Sequence, residues 1–394
     1  MSAGGWRTRA NEAGERRPRG SLKPLAGAAA FGLGLLAPVG IARGAIGFAD
    51  AVPYPVADTP QVFGVGDFDR DGRKDLAVSA CIGEGLVSIL RGRRNGKFVR
   101  LEDQPGPNCG GPLVVGRFDQ NKRPDLVVSD QNNGALHFLK GKGTGDFADP
   151  VVSSTDLPTI QGLVARDFDR DGDLDLAATD YANSGGVALI PGNGDGTFGE
   201  ADSHATDSRP AGLVVADLNR DGRLDLATAN EVGQTISVLH GEAGGGFAEQ
   251  ESYPVGNQPF GLASGDFNED GRLDLVASRR GFGVGGAAVL LQRANGTFKD
   301  AQGIGTGVES LAVVTSDVDR DGHRDVAFSN NGVDPNVVTL VRGRGDGSFR
   351  PQRDFAVGAY SWGLVAKDFD ADRRPDLATA DGGSDQVSVL LNQP

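Results

Sequence analysis

The 394-residue chain is poor in the groups that usually carry chemistry: four histidines, two cysteines and 6% aromatic residues. The histidines, His137, His204, His240 and His323, are scattered, with no zinc-ligand spacing and no Ser/His/Asp order around them. Two cysteines exclude a disulfide-dense scaffold; an even count in an exported chain reads first as one bridge, Cys81 to Cys109. No long segment repeats its apolar residues at helical spacing, which leaves an all-β chain. What is abundant is glycine, 61 residues without a collagen period, as many tight turns between short strands require. The 38% hydrophobic content is that of a globular protein.

Residues 1–45 differ in kind from the rest. Arg7, Arg9, Arg16, Arg17, Arg19 and Lys23 precede an apolar run from Leu25 to Ala42, with small residues at its end, the order of a secretory signal peptide. The run is short and broken by glycines and Pro38, which disfavours a membrane anchor. The expected location is secreted, cell-surface or periplasmic, with no membrane span in the mature chain. Seven of the 39 Lys/Arg and two of the 53 Asp/Glu lie in that segment, leaving 32 basic and 51 acidic residues, net −19. Such a surface repels nucleic acid and anionic membranes.

Much of that charge sits in one recurring stretch, best preserved as DFDRDGDLDL from Asp167 to Leu176. Carboxylates stand at positions 1, 3, 5 and 9, and Gly172 at position 6, where the chain must turn sharply. That density suits a hard cation, since Ca²⁺ takes six to eight oxygen ligands. First positions fall at Asp67, Arg117, Asp167, Asp217, Asp266, Asp317 and Asp368, a period of 49 to 51 residues, so the chain is a repeat protein of seven units.

The fourth unit reads as four strands: Gly212 to Ala216, taken as buried on both faces, Leu226 to Ala229, Thr235 to Leu239, and a last one ending near Tyr253 to Val255. Four antiparallel strands per unit is the content of a propeller blade. Seven units predict a seven-bladed β-propeller over residues 46–394. A Gly-rich turn ending in Phe precedes most acidic loops by 19 residues; the last unit lacks it, but Phe48 lies 19 residues before Asp67. Residues 48–56 are therefore expected to pair with the strand from Gln386 to Leu391 and close the ring. Cys81 and Cys109 then lie on neighbouring blades, at the end opposite the acidic loops.

DxDxDGxxDL, an apolar run and G-D-G-[ST]-F together resemble the FG-GAP/VCBS repeat, the unit of the integrin α-subunit propeller and of many secreted bacterial proteins. The resemblance covers residues 48–394. It implies calcium held by side chains at positions 1, 3, 5 and 9: Asp67, Asp69, Asp71 and Asp75; Asp167, Asp169, Asp171 and Asp175; Asp217, Asn219, Asp221 and Asp225; Asp266, Asn268, Asp270 and Asp274; Asp317, Asp319, Asp321 and Asp325. In the second unit Arg117 and Lys122 replace the first Asp and the Gly, so no ion is expected there and Arg117 is the expected neutraliser of Asp119 and Asp125. The seventh keeps Asp368, Asp370, Asp372 and Asp376 but carries Arg373 at the Gly position. Five calcium sites are expected, with a sixth in that loop left open. An EF-hand would need an acid at position 12, where Val78 and Ala178 stand, and flanking helices.

The calcium loops read as structural, and the opposite end as the variable, recognising one. Its candidates are Tyr181, Phe260, Phe282, Tyr360 and Trp362, with Asn132, Asn133, Asn230, Asn330 and Asn331 as polar neighbours. Aromatics with amides suit a sugar or a protein surface. The reading is a monomeric, calcium-stabilised binding or adhesion propeller for an extracellular protein or glycan, without assigned catalytic residues. The alternative is a polysaccharide-active lyase or hydrolase, for which Arg279 and Arg280 with Tyr181 are the available groups.

Overall fold

The second strand of each unit is its most buried part. Asp75–Ala80, Asp125–Asp130, Asp175–Asp180, Asp225–Asn230, Asp274–Arg279, Asp325–Asn330 and Asp376–Asp381 are buried along almost their whole length. Successive side chains leave opposite faces of a strand, so full burial means that both faces of every sheet are covered. The coordinates are a computed structural model describing residues 47–81, 85–182, 185–280, 286–306, 309–331 and 336–393. The expected signal peptide, residues 1–45, and Phe282 lie outside the described residues. Residues 46–394 form one compact unit.

Seven antiparallel sheets follow in chain order, six of four strands and one, in blade 1, of five because the short Gln104–Pro105 strand also pairs with the third strand. Blade 4 is typical, with Pro210–Ala216 innermost, then Asp225–Asn230, Thr235–Leu239 and Glu251–Pro254 outermost. The third strand has the expected bounds. The innermost strand does not fit the expectation of burial on both faces; it lines the axis and is only half-buried, while the second strand holds the core. Innermost strands of neighbouring blades touch all the way round, including blade 7 on blade 1. Glycine at their β-bulges permits this: a Cβ on Gly162 would lie 2.3 Å from the Ala211 carbonyl oxygen, and one on Gly212 2.5 Å from that of Phe260.

Seven apolar clusters fill the seven blade-to-blade interfaces. In blade 1, Leu76, Val78 and Leu90 face blade 7, while Ala77, Val87 and Ile89 face blade 2. The recurring phenylalanines cross these interfaces. The turn Phe of each blade packs edge-on against the Phe at position 2 of the preceding blade's acidic loop: Phe147 on Phe68 (5.3 Å between ring centres), Phe198 on Phe118 (5.9 Å), Phe247 on Phe168 (5.9 Å), Phe349 on Phe267 (5.6 Å) and Phe98 on Phe369 (5.4 Å). Leu218 and Val318 take the position-2 place against Phe298 and Phe48.

The N-terminal segment completes blade 7. Val52–Pro55 pairs with Gln386–Leu390, Val52 opposite Val389 and Pro55 opposite Gln386, and Gly47–Phe48 pairs with Asn392–Gln393. Both prolines of this strand sit on an outer edge, where no ladder donor is needed.

Candidate functional site

At position 9 of all seven loops stands a buried aspartate that holds its blade together. In blade 1 the Phe68 amide donates to one Asp75 oxygen (2.7 Å) and the amide of Gly92, the last residue of the third strand, to the other (2.7 Å). The same pair of bonds recurs at Asp125, Asp175, Asp225, Asp274, Asp325 and Asp376. The aspartate at position 1 organises the turn: Asp67 accepts the amides of Asp71 (2.9 Å) and Gly72 (3.0 Å), and Asp217, Asp266 and Asp317 do likewise. Gly72 has φ +84°, where glycine is favoured. Arg373 adopts φ +68° in the seventh loop and its amide still reaches Asp368 at 2.9 Å, so that loop keeps its shape despite the side chain.

Oxygens of Asp67, Asp69 and Asp71 gather within 4.8 Å of one another, as do those of Asp167, Asp169 and Asp175, of Asp317, Asp319 and Asp325, and of Asp368, Asp370 and Asp376. Asn219 and Asn268 stand at position 3 of the fourth and fifth loops, where their side-chain oxygens accept the Asp221 and Asp270 amides. Burial above all, aided by neighbouring carboxylates and opposed by the two amides, pushes Asp325 and Asp376 up to about 7 and Asp75 and Asp274 up to about 6. Asp125 and Asp175 are raised in the same way; Asp225 is the exception, because the His240 ring and backbone amides outweigh its burial.

Three observations fit these loops to a hard divalent cation. The donors are oxygens alone. Asp167 Oδ1 is buried with no hydrogen-bond partner, and Asp167 belongs to one of the oxygen clusters. In the second loop a protein cation stands in: Lys140 Nζ lies 2.7 Å from Asp119, whose side chain is 5% exposed. This corrects the expectation for Arg117, which is exposed, while the ammonium from the third strand's end holds Asp119.

The opposite end is built by one position per blade. Directly after the second strand, Cys81, Gln131, Tyr181, Glu231, Arg280, Asn331 and Gly382 each donate their amide to the carbonyl just ahead of, or next to, the innermost strand (2.9 to 3.2 Å). Of these, Gln131, Tyr181 and Arg280 line a basin of about 390 Å³ on the axis, whose lining comes from all seven blades. Tyr181, Phe260 and Trp362 meet there with Arg280, Gln61, Gln131 and Gln161. Tyr360 is not part of the lining; it is exposed at φ +54° outside it. Asn230 and Asn330 are wholly buried, bonded to Ser237 and Thr339 inside their sheets, and do not face the basin.

Glu231, absent from the sequence-based candidates, is the hub of the basin's charge. It is 8% exposed, accepts the Tyr181 hydroxyl, and pairs with Arg280 (3.3 Å) and Arg209 (4.0 Å). The Arg209 and Arg280 guanidiniums lie over the Tyr181 and Phe260 rings at 4.3 and 4.5 Å. Burial, with the Glu231 bond second, pushes Tyr181 up to about 12, so its phenol is a donor at neutral pH, whereas a tyrosine base needs a lowered value. Arg279 directs its guanidinium to the carbonyls of Val255 (3.3 Å) and Ala287 (3.0 Å), so the two adjacent arginines do not act together. Cys81, the member from blade 1 of the ring of amide donors, is joined to Cys109 in a disulfide.

Fold and loops together define a seven-bladed propeller with an acidic loop between the first two strands of each blade. The FG-GAP-like repeat matches residues 117–178, 167–228, 222–277 and 317–379, more than half of the chain, and the chain belongs to that family. No curated protein matches it. Among solved structures it is similar to BBS1N, crystallised in complex with ARL6DN, with a TM-score of 0.60 at 11% identity over 88% of this chain and 97% of that one. It is also similar to a protein from Lactobacillus plantarum, with a TM-score of 0.59 at 17% identity over 78% and 88% of the two chains. At those identities the likeness is one of fold. Such a propeller is a general binding or scaffold module. Among the described residues no helix is long and apolar enough to cross a membrane.

Proposed function

We propose that the mature chain is a secreted, calcium-stabilised binding module that recognises an extracellular protein or glycan at the axial basin. The observation that carries this reading is the convergence of Tyr181, Phe260 and Trp362 with Arg280 and three glutamines on one concavity. Rings on the wall offer apolar faces, the amides offer paired donors and acceptors, and Arg280 supplies a cation backed by Glu231. Calcium in the acidic loops at the other end would fix each blade's first turn through Asp and Asn oxygens and cancel charge that otherwise repels itself. It would not touch the ligand.

A glycan and protein array probed with the mature domain, with and without chelator, tests the reading. Binding is expected to drop on Trp362→Ala and Arg280→Ala with little change in melting temperature, and chelation is expected to act through stability. A ligand held equally well by both variants would place recognition elsewhere.

A further inference from the structure

The residue at the exit of the third strand, just ahead of the amide donated to the position-9 aspartate, differs in charge from blade to blade. It is Arg91, Lys140, His240 or Arg342 in blades 1, 2, 4 and 6, and Pro191, Leu291 or Leu391 in blades 3, 5 and 7. Where it is basic it reaches into the acidic loop. Arg342 lies 3.2 Å from Asp319, Arg91 3.6 Å from Asp69, Lys140 2.7 Å from Asp119, and His240 Nδ1 3.4 Å from both Asp225 and Asn219. A second cation reaches position 5 from position 7: Arg73 on Asp71, Arg223 on Asp221, Arg272 on Asp270, and Arg374 on Asp372 at 3.7 Å. Loop 3 has Pro191 at the first place and Asp173 at the second. None of its five carboxylates is in an ion pair among the described residues, and it is the loop that leaves Asp167 Oδ1 buried and unpartnered.

We propose that these built-in cations grade the loops for divalent metal. Asp167, Asp169, Asp171 and Asp175 of blade 3 form the tightest site; the loops of blades 5 and 7, met by one arginine each, come next. The loops of blades 1, 4 and 6, each met by a basic side chain at the exit of the third strand, are weak, and in blade 2 Lys140 takes the ion's place altogether. The physical reason is competition for the same carboxylate oxygens. A guanidinium held at salt-bridge distance repels an incoming divalent ion by an amount worth about tenfold in affinity even under water-like screening. The inference rests on the calcium reading but asks a separate question, which loop fills first.

Calcium titration of the full chain by calorimetry, with native mass spectrometry for stoichiometry, decides it. The unmodified protein is expected to load one ion well before the rest. Asp173→Arg, which gives loop 3 the arginine that loops 1, 4, 5 and 7 carry on a partly exposed turn, is expected to weaken that first site about tenfold. Arg342→Leu is expected to tighten a late site by a similar factor, a gain that misfolding cannot produce. No calcium uptake by the unmodified chain would overturn the calcium reading itself. Uptake at a single common affinity, unchanged in both variants, would overturn the grading alone.

Discussion

At the scale of single residues, the position-9 aspartates make the metal-free protein sensitive to pH. An unfolded aspartate titrates near 3.9, whereas Asp75 and Asp274 are pushed up to about 6 and Asp325 and Asp376 to about 7. Between those values the folded chain holds protons that the unfolded chain has released, so stability falls as pH rises. In chelator the melting temperature is expected to decline from about pH 4 to about pH 7, and calcium is expected to remove the decline; a flat chelated profile would mean that these carboxylates ionise freely. Residues of this kind were legible in the sequence because their spacing repeats. Glu231 was equally within reach, since it stands at the fifteenth place counted from Asp217, as Tyr181 does from Asp167. Its acidity is shared with dozens of surface groups, so only the register marks it. Lys140 was not legible as the partner of Asp119, because the end of a third strand meets the loop only once the sheet has formed.

At the scale of elements, the Gly-rich turn is a lock between blades. Its phenylalanine leaves its own sheet and packs on the acidic loop of the preceding blade. Phe298 is 2% exposed, with Leu218 of blade 4 beneath it and the Tyr253 ring 5.3 Å away. Phe298→Ala is expected to cost about 3 to 5 kcal/mol in denaturant unfolding, whereas Val232→Ala, at a half-exposed position, is expected to cost little. Equal midpoints for the two would show that the lock carries no load. The disulfide acts between the same kind of elements. Cys81 follows the second strand of blade 1, and Cys109 precedes the innermost strand of blade 2, 28 residues on. Closing that loop contributes about 3.5 kcal/mol in the chain-entropy picture. Cys81→Ser with Cys109→Ser is expected to lower stability by roughly that much, and two free thiols in the unreduced, denatured protein would remove the bridge altogether.

At the scale of the molecule, the seven clusters between blades have no centre, so stability depends on completing the circle. Each blade covers both neighbours, and a ring with one interface open loses more than one interface, because the newly exposed edge can pair with another chain. Blade 7 is where this is decided: its first three strands come from the C-terminal end of the chain and its outermost, Val52–Pro55, from the N-terminal end. Phe48 joins the cluster between blades 6 and 7 and lies 4.9 Å from the Phe355 ring, filling the place that the turn phenylalanine takes elsewhere. The closure was readable from the 19-residue spacing alone, because the N-terminal piece carries the unit that the last repeat lacks. Deleting residues 48–56 is therefore expected to uncover the edge formed by Gln386–Leu390, lower the melting temperature and promote self-association visible in light scattering. Phe48→Ala, which keeps the strand and removes the lock, is expected to lower stability without self-association. If the deletion left the melting curve unchanged, the N-terminal strand would be an appendage and the ring would be held by its inner strands alone.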